Sequence, residues 1–209
     1  MEDKDLGDFT ILTHDEEETE LPIPAFMQQE GEKADATQGA AYGTIWHQVM
    51  ATIDFERAVS ADEIKNEITR LVTSGRLRKE EEKVLRVDRL LLFFESKLGR
   101  QMRKAAQEGC LHREQPFVMG RKANEIFPDR QEEDTVLVQG IIDGYFETED
   151  GIVLMDYKTD SLRQGEEALL IGRYKTQMDL YRQALQEMTE KKVIRCVLYS
   201  FSLGKEVEL

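Results

Sequence analysis

The stretch Val153-Leu154-Met155-Asp156-Tyr157-Lys158-Thr159-Asp160 is an apolar run that ends in alternating charged residues. In a β-strand, residues i and i+2 project from the same face. Asp156 and Lys158 are therefore predicted to lie side by side. The opposite face then takes Val153, Met155 and Tyr157. A carboxylate can hold a divalent cation, and a neighbouring lysine can position a water molecule or help to deprotonate it. The pair suits phosphodiester hydrolysis, although an ordinary ion pair at a strand end is the commoner meaning of so short a motif.

The composition excludes several classes of protein. The chain has 209 residues, which is enough for one domain with a sizeable core, or for a domain with a tail. It has no run of about 18 apolar residues, so no membrane span is expected, and its first residues lack the character of a signal peptide. Two distant cysteines, Cys110 and Cys196, predict a reducing, cytoplasmic compartment and are too few to ligate an iron–sulfur cluster.

The charge of the chain bears on nucleic-acid binding. There are 42 acidic residues against 28 basic ones, which gives a net charge of −14. Free-standing proteins that bind nucleic acid tightly usually carry a basic excess. We therefore expect weak binding of DNA by this chain alone. A nuclease whose DNA is delivered by another module remains compatible with the charge.

The front of the chain is predicted to comprise a tail and a helical region. Residues 1–38 are acidic and rich in extended-chain signals, and are interpreted as a tail or linker with an apolar docking arm at Leu21–Met27. Residues 39–109 are predicted to be helical, with helices at about 38–55, 62–73 and 79–108. Asp62 is the predicted cap of the second helix, and a kink is expected near Gly99 in the third. His47 shares a helical face with Trp46 and Met50, where a histidine is by default a core residue.

Residues 110–209 are predicted to form the catalytic α/β core, because the apolar period changes from 3.6 to 2 near Cys110. Asp150-Gly151 is a hairpin-turn signal. The order of elements predicts an α/β (or α+β) domain built on a mixed sheet, with the helical region wrapping it. Strands are predicted at 111–119, 134–148, 152–159 and 193–201, and a helix at 166–190.

The hairpin brings two carboxylates together. Asp143 lies on the strand before the turn and Asp156 on the strand after it, so pairing around the turn places them near one another. Two carboxylates make a hard-oxygen site of the kind that Mg²⁺ or Mn²⁺ prefers. On the last helix, Gln177 and Tyr181 are separated by four residues and share a face. That pair can hydrogen-bond phosphate or a catalytic lysine, or can simply pack at the edge of the core.

Four motifs follow one another along the chain. They are Gly43-x-x-x-His47, Gly140-Ile141-Ile142-Asp143-Gly144, Asp156-Tyr157-Lys158-Thr159 and Gln177-x-x-x-Tyr181. In this order they resemble the RecB-family nucleases of the PD-(D/E)xK superfamily, and the combination is far more specific than any one motif. The flanking residues are most similar to the C-terminal nuclease domain of AddA-type subunits of bacterial helicase–nucleases. The resemblance covers about residues 22–201.

The resemblance implies a restriction-endonuclease-like fold and a metal-dependent DNA exonuclease activity. It also implies residue roles, which do not follow from the spacing alone. Lys158 would be the catalytic lysine, Gln177 and Tyr181 an accessory motif, and Glu114 a residue bordering the site. The implied ligands of Mg²⁺, with Mn²⁺ as an alternative, are His47, Asp143, Asp156 and the main-chain carbonyl of Tyr157.

The resemblance further implies a setting for the domain. Some relatives, including AddB-type and Cas4-type proteins, clamp the domain with four cysteines around an iron–sulfur cluster, and two cysteines fit only the AddA type. The implied partners are single-stranded DNA ends delivered by a helicase region of the same full-length chain, and an AddB-type protein. The implied role is in double-strand-break repair and recombination, and the chain is expected to be a domain or fragment of a longer protein.

Two other functions remain open from the sequence. One is a catalytically silent nuclease-like module that binds a DNA end or a partner protein. The intact Asp143, Asp156 and Lys158 speak against it. The other is a stand-alone repair or phage-type nuclease. The acidic composition and the linker-like first 38 residues speak against that one.

Overall fold

The computed structural model describes residues 9–12, 36–122, 124 and 135–209. The predicted docking arm lies outside these ranges. No helix within them combines the length and apolarity that a membrane span needs. The described elements are β1 (Phe9–Leu12), α1 (Ala36–Thr52), α2 (Ala61–Thr73), α3 (Lys79–Glu82), α4 (Val87–Glu95), α5 (Lys97–Glu108), β2 (Leu111–Lys122), β3 (Thr135–Thr148), β4 (Gly151–Lys158), α6 (Glu167–Thr189), β5 (Val193–Ser200) and β6 (Lys205–Glu208).

The strands form one mixed sheet in the order β2-β3-β4-β5-β6. β3 is antiparallel to both β2 and β4, β4 is parallel to β5, and β6 is antiparallel to β5. β1 also pairs with β3, through Leu137–Gly140. Since β2 occupies the other edge of β3 along those residues, β1 and β4 share one edge of β3. The predicted mixed sheet is confirmed, including the hairpin between β3 and β4.

Each face of the sheet is covered by its own apolar core. In β4, Val153, Met155 and Tyr157 pack among residues of the helices before β2. Ile152 and Leu154 pack on the other face, against α6. Both faces of β4 are therefore buried, which is the physical reason for its nearly continuous apolar run. The predicted alternation is confirmed, and Asp156 and Lys158 have the parity of the face covered by α6.

The helical layer is held by a cluster of aromatic side chains. The ring of Phe93 contacts those of Phe55, Tyr157 and Tyr199 edge-on, at centroid distances of 4.8–6.0 Å. Trp46 of α1 lies 4.3 Å from Phe201, which follows β5. Edge-on pairs of this kind stabilise by about 0.5–1.5 kcal/mol each beyond their buried area. Helices α1 to α5 thus wrap one face of the sheet, as the sequence predicts.

The predicted helix over residues 79–108 is in fact three helices, α3 to α5. Ser96 has an extended backbone and caps α5 by accepting a hydrogen bond from the Gly99 N–H at 3.0 Å. The expected kink near Gly99 is therefore a complete break. The predicted cap of α2 is also displaced, because Ser60 rather than Asp62 accepts from the first turn. Strands β1 and β6 were not predicted, since each is only four residues long.

Gly99 generates a prediction about stability. A Cβ at Gly99 would lie 2.1 Å from the Phe93 carbonyl oxygen, a backbone atom that cannot move aside. Gly99→Ala is expected to lower the free energy of unfolding by about 2 kcal/mol, as overpacking commonly does. Gly172→Ala is the control, because Gly172 is an exposed residue inside α6 with nothing near its missing Cβ.

Gly172→Ala should stabilise by about 0.5–1 kcal/mol, through the higher helix propensity of alanine. Urea denaturation of both variants beside the wild type measures the two effects. Equal stability of Gly99→Ala and the wild type would contradict the close packing of α4 against α5.

Candidate active site

The candidate site lies at a gap in the sheet where β3 changes partner. β4 pairs with Gly144–Thr148 and β1 with Leu137–Gly140, so neither covers the residues between. Asp143 lies in this gap and is almost fully buried. Its Oδ2 accepts a hydrogen bond from the Tyr157 N–H at 2.7 Å. A side chain thus takes the place of the backbone carbonyl that the diverging strand no longer supplies.

The sense of the neighbouring strand also inverts at this point. Glu114 lies opposite Asp143 between regular pairs of β2 and β3, and its φ of 50° is left-handed. Arg113 turns towards the helical layer, where it meets α1, while Phe117, of the same parity, packs on the α6 side. A non-glycine residue with positive φ is costly and concentrates at functional sites. The inversion places Asp143 where the two layers meet.

His47 reaches the gap from the helical layer. Its Nδ1 lies 3.0 Å from Asp143 Oδ1, and its side chain is partly exposed. One turn earlier, Gly43 allows α1 to approach the end of β4, because a Cβ there would already be 3.3 Å from Thr159 Oγ1. The structure therefore places His47 against the carboxylate rather than inside an apolar core.

Asp156 and Lys158 reach the gap from the other face. Asp156 is fully buried and Lys158 nearly so, and Lys158 Nζ lies 2.8 Å from Asp156 Oδ2. The register of β3 and β4 puts Asp156 across from Asp143. Burying an ion pair costs desolvation free energy that the pair alone often does not return. Such a pair therefore needs further hydrogen bonds, and a role beyond stability would explain why it is retained.

The predicted accessory motif makes one of those hydrogen bonds. Lys158 Nζ donates to Gln177 Oε1 at 3.1 Å, and Gln177 Nε2 donates to the Tyr181 hydroxyl at 2.9 Å. Gln177 and Tyr181 are both buried on α6. Of the two interpretations left open by the sequence, the structure shows a bond to the lysine and not merely packing at the edge of the core.

The electrostatics of the gap are dominated by burial. Burial, followed by the Asp143 carboxylate, raises the pKa of Tyr157 well above its usual value. The Tyr157 hydroxyl therefore stays neutral in the helical layer. Its main-chain carbonyl, which the resemblance offers as a metal ligand, remains a prediction, as does any role of Glu114.

Arg113 connects α1 to the sheet. Its Nη1 donates to the carbonyl oxygens of Met50 and Ile53 at 3.1 and 2.8 Å, and its guanidinium lies over the Phe55 ring. Burial lowers the pKa of this arginine, which stays charged because its usual pKa is so high. The charge compensates carbonyls at the C-terminal end of the helix that carries His47. Sequence reasoning missed this role, since an arginine before Glu114 has no distinguishing pattern.

The donor set fits a hard divalent cation by type, since it offers two carboxylates on adjacent strands and one imidazole. In the present arrangement these donors are paired two by two, His47 with Asp143 and Asp156 with Lys158. Accordingly, no three His, Cys, Asp or Glu side chains in the described ranges are grouped as a ready-made metal site. Convergence of all three on one ion stays a prediction.

A family model of the PD-(D/E)XK nuclease superfamily matches residues 22–208. The chain belongs to this superfamily. The matched range includes the site residues from His47 to Tyr181, and the mixed sheet with its helical covering is consistent with a restriction-endonuclease-like fold.

Curated relatives from this superfamily are much longer proteins, each named as the AddA component of an ATP-dependent helicase/nuclease. The chain is 39% identical over 191 residues to the one from Clostridium perfringens strain SM101, covering 89% of this chain and 15% of that protein. It is 37% identical over 210 residues to the one from Alkaliphilus oremlandii, covering 98% of this chain and 16% of the relative. The match to the Lachnoclostridium phytofermentans protein is 34% over 223 residues, covering 91% and 16%.

The anchoring of α1 by Arg113 can be tested by substitution. Arg113→Met keeps much of the side-chain volume but leaves two carbonyls without their charged donor. Hydrogen bonds from charged groups contribute about 1.5–3 kcal/mol, so the free energy of unfolding should fall by about that amount. Arg86→Met is the control, because the exposed Arg86–Asp88 pair should contribute less than about 1 kcal/mol. If the two variants lose the same stability in urea, Arg113 does not anchor the helix.

Proposed function

We propose that this chain is the metal-dependent nuclease module of a longer helicase–nuclease and that it hydrolyses phosphodiester bonds of DNA. The carrying observation is the convergence, at one gap in the sheet, of the His47–Asp143 and Asp156–Lys158 pairs from opposite layers. Membership of the superfamily and the names of the long relatives support the same function.

His47, Asp143 and Asp156 would hold the cation, with Mg²⁺ or Mn²⁺ suited to their oxygen-rich set. When bound, such a cation would polarise a phosphoryl oxygen and lower the pKa of a water molecule. His47 would exchange its bond to Asp143 for the cation, and the Asp143 Oδ2 would keep the Tyr157 N–H. The displaced contacts are all hydrogen bonds or ion pairs within the site.

Lys158 would perform the chemistry that needs a fixed positive charge. Its ammonium can orient the attacking water and offset the negative charge that develops on the phosphoryl group. A protonated lysine has no lone pair, so it is not itself a ligand. Gln177 holds the ammonium from the α6 side, and Tyr181 in turn accepts from Gln177. The residues therefore divide into a cation-binding half and a charge-positioning half.

The proposed substrate is a DNA strand delivered by a helicase region of the same polypeptide. The chain spans only about 15–16% of its curated relatives, whose names join a helicase to a nuclease. A net charge of −14 suits a domain that receives DNA from a motor, because it gives little phosphate affinity of its own. Exonuclease action at broken ends, a cytoplasmic location and an AddB-type partner complete the proposal.

The test of the chemistry separates the two halves of the site. Lys158→Ala should reduce the rate of cleavage of end-labelled DNA by about a hundred- to a thousand-fold, which is the usual cost of one preorganised group. It should leave the metal concentration for half-maximal binding unchanged. Asp156→Ala should reduce both the rate and the metal affinity. The measurements are cleavage rates and a calorimetric titration with Mn²⁺.

Lys175→Ala is the matched control, because Lys175 is an exposed lysine of α6 that forms only a surface pair with Asp179. Its rate should equal that of the wild type. If Lys158→Ala cleaves within about threefold of the wild type, Lys158 has no part in the chemistry. A wild type that binds metal but never cleaves would instead favour the catalytically silent module.

The charge generates a separate prediction about binding. The isolated domain should bind single-stranded DNA only weakly at physiological salt without metal, with a dissociation constant well above micromolar, because its field repels phosphate. Fluorescence anisotropy with a labelled oligonucleotide measures this. Submicromolar binding in the presence of a chelator would contradict the delivery of DNA by another module.

A further inference from the structure

The ammonium of Lys158 lies over an aromatic ring. Its Nζ is 3.9 Å from the centroid of the Tyr174 ring, well inside the distance of about 6 Å over which a cation is attracted to a ring face. Asp156 and Gln177 contact the same nitrogen, at 2.8 and 3.1 Å. A carboxylate, an amide and a ring face therefore all hold one buried ammonium.

The Tyr174 ring is itself fixed at its far end. Its hydroxyl donates to Asp160, lying 2.9 Å from Oδ2 and 3.1 Å from Oδ1. Arg173 Nη1 donates to the same carboxylate at 2.9 Å. Burial raises the pKa of Tyr174 far above its usual value, so the hydroxyl stays protonated and remains a donor. Asp160 follows β4 by two residues, and the bond therefore ties the end of that strand to α6.

We propose that Tyr174 is a positioning residue whose ring face sets the place of the Lys158 ammonium, with Asp160 holding the ring in register. The proposal rests on the nuclease function proposed above. Lysine has a long, flexible side chain whose ordering is entropically costly. Asp156 is expected to serve the cation as well as the lysine. Gln177 and the Tyr174 ring are then the contacts that hold the ammonium without competing for it.

The kinetic test compares the ring with its removal. Tyr174→Leu removes the ring face and should lower kcat about tenfold, the loss expected for a desolvated cation–ring contact. KM for DNA and the half-saturating metal concentration should stay within about twofold of the wild type. Tyr174→Phe keeps the face and loses only the hydroxyl, so kcat should return to within about threefold. Rescue by phenylalanine separates positioning by the ring from a general packing defect.

A second pair of variants tests the anchor without cutting into the core. Asp160→Asn weakens the hold on the Tyr174 hydroxyl and should lower kcat by about two- to fivefold. Asp179→Asn is its matched control, since Asp179 also accepts from an arginine of α6, Arg182, but on the exposed side. The two substitutions change the net charge equally. Only Asp160→Asn should affect the rate.

A spectroscopic measurement is independent of activity. The Hε protons of Lys158, observed in metal-free protein with ¹³C-labelled lysine and assigned by their absence in Lys158→Arg, should be shifted upfield by the ring. The shift should persist in Tyr174→Phe and disappear in Tyr174→Leu. If the wild type fails to cleave DNA, the nuclease proposal falls, while this shift still decides whether the ring holds the lysine.

Three results would overturn the positioning role. One is a kcat for Tyr174→Leu within about threefold of the wild type. The second is an equal loss in Tyr174→Phe and Tyr174→Leu, which would assign the effect to the hydroxyl rather than the ring face. The third is the absence of an upfield shift for Lys158 in the folded wild type.

Discussion

The hydrogen bond from the Tyr157 N–H to Asp143 Oδ2 is the contact on which the site depends. It lies where β3 leaves β4 and turns to β1, and it satisfies a backbone donor that would otherwise be buried without a partner. Because one carboxylate oxygen is committed to the backbone, the carboxylate group is fixed in direction. The other oxygen is presented to His47 from the opposite side.

The two apolar cores explain why chemistry concentrates at this gap. His47 belongs to the helical layer, while Lys158 and Gln177 belong to the side of the sheet covered by α6. Where β3 and β4 are paired, the sheet separates these layers. The opening between strands, together with the left-handed Glu114 opposite Asp143, is where polar groups from both layers can meet. Strain and buried charge are tolerated there because well-packed layers on both sides determine the backbone.

Much of this arrangement follows from sequence periodicity. The alternation in Val153–Lys158 correctly assigns each side chain of β4 to its face, and the turn at Asp150 correctly brings Asp143 across from Asp156. The missed features depend on contacts between residues distant in sequence. The break at Ser96 results from the packing of α4 on α5, which no helical propensity reports. The roles of Arg113 and Asp160 likewise depend on partners that only the tertiary fold brings near.

The pairing of His47 with Asp143 also has a consequence for biosynthesis. These two residues are separated by 96 positions, and Lys158 meets Gln177 only after α6 has crossed back over the sheet. A chain still emerging from the ribosome that ends before Gln177 carries both carboxylates but lacks the partner that holds its lysine. Because domains fold as units during synthesis, the cutting site is completed only with the whole domain. A half-made protein is thereby kept from damaging the DNA of its own cell.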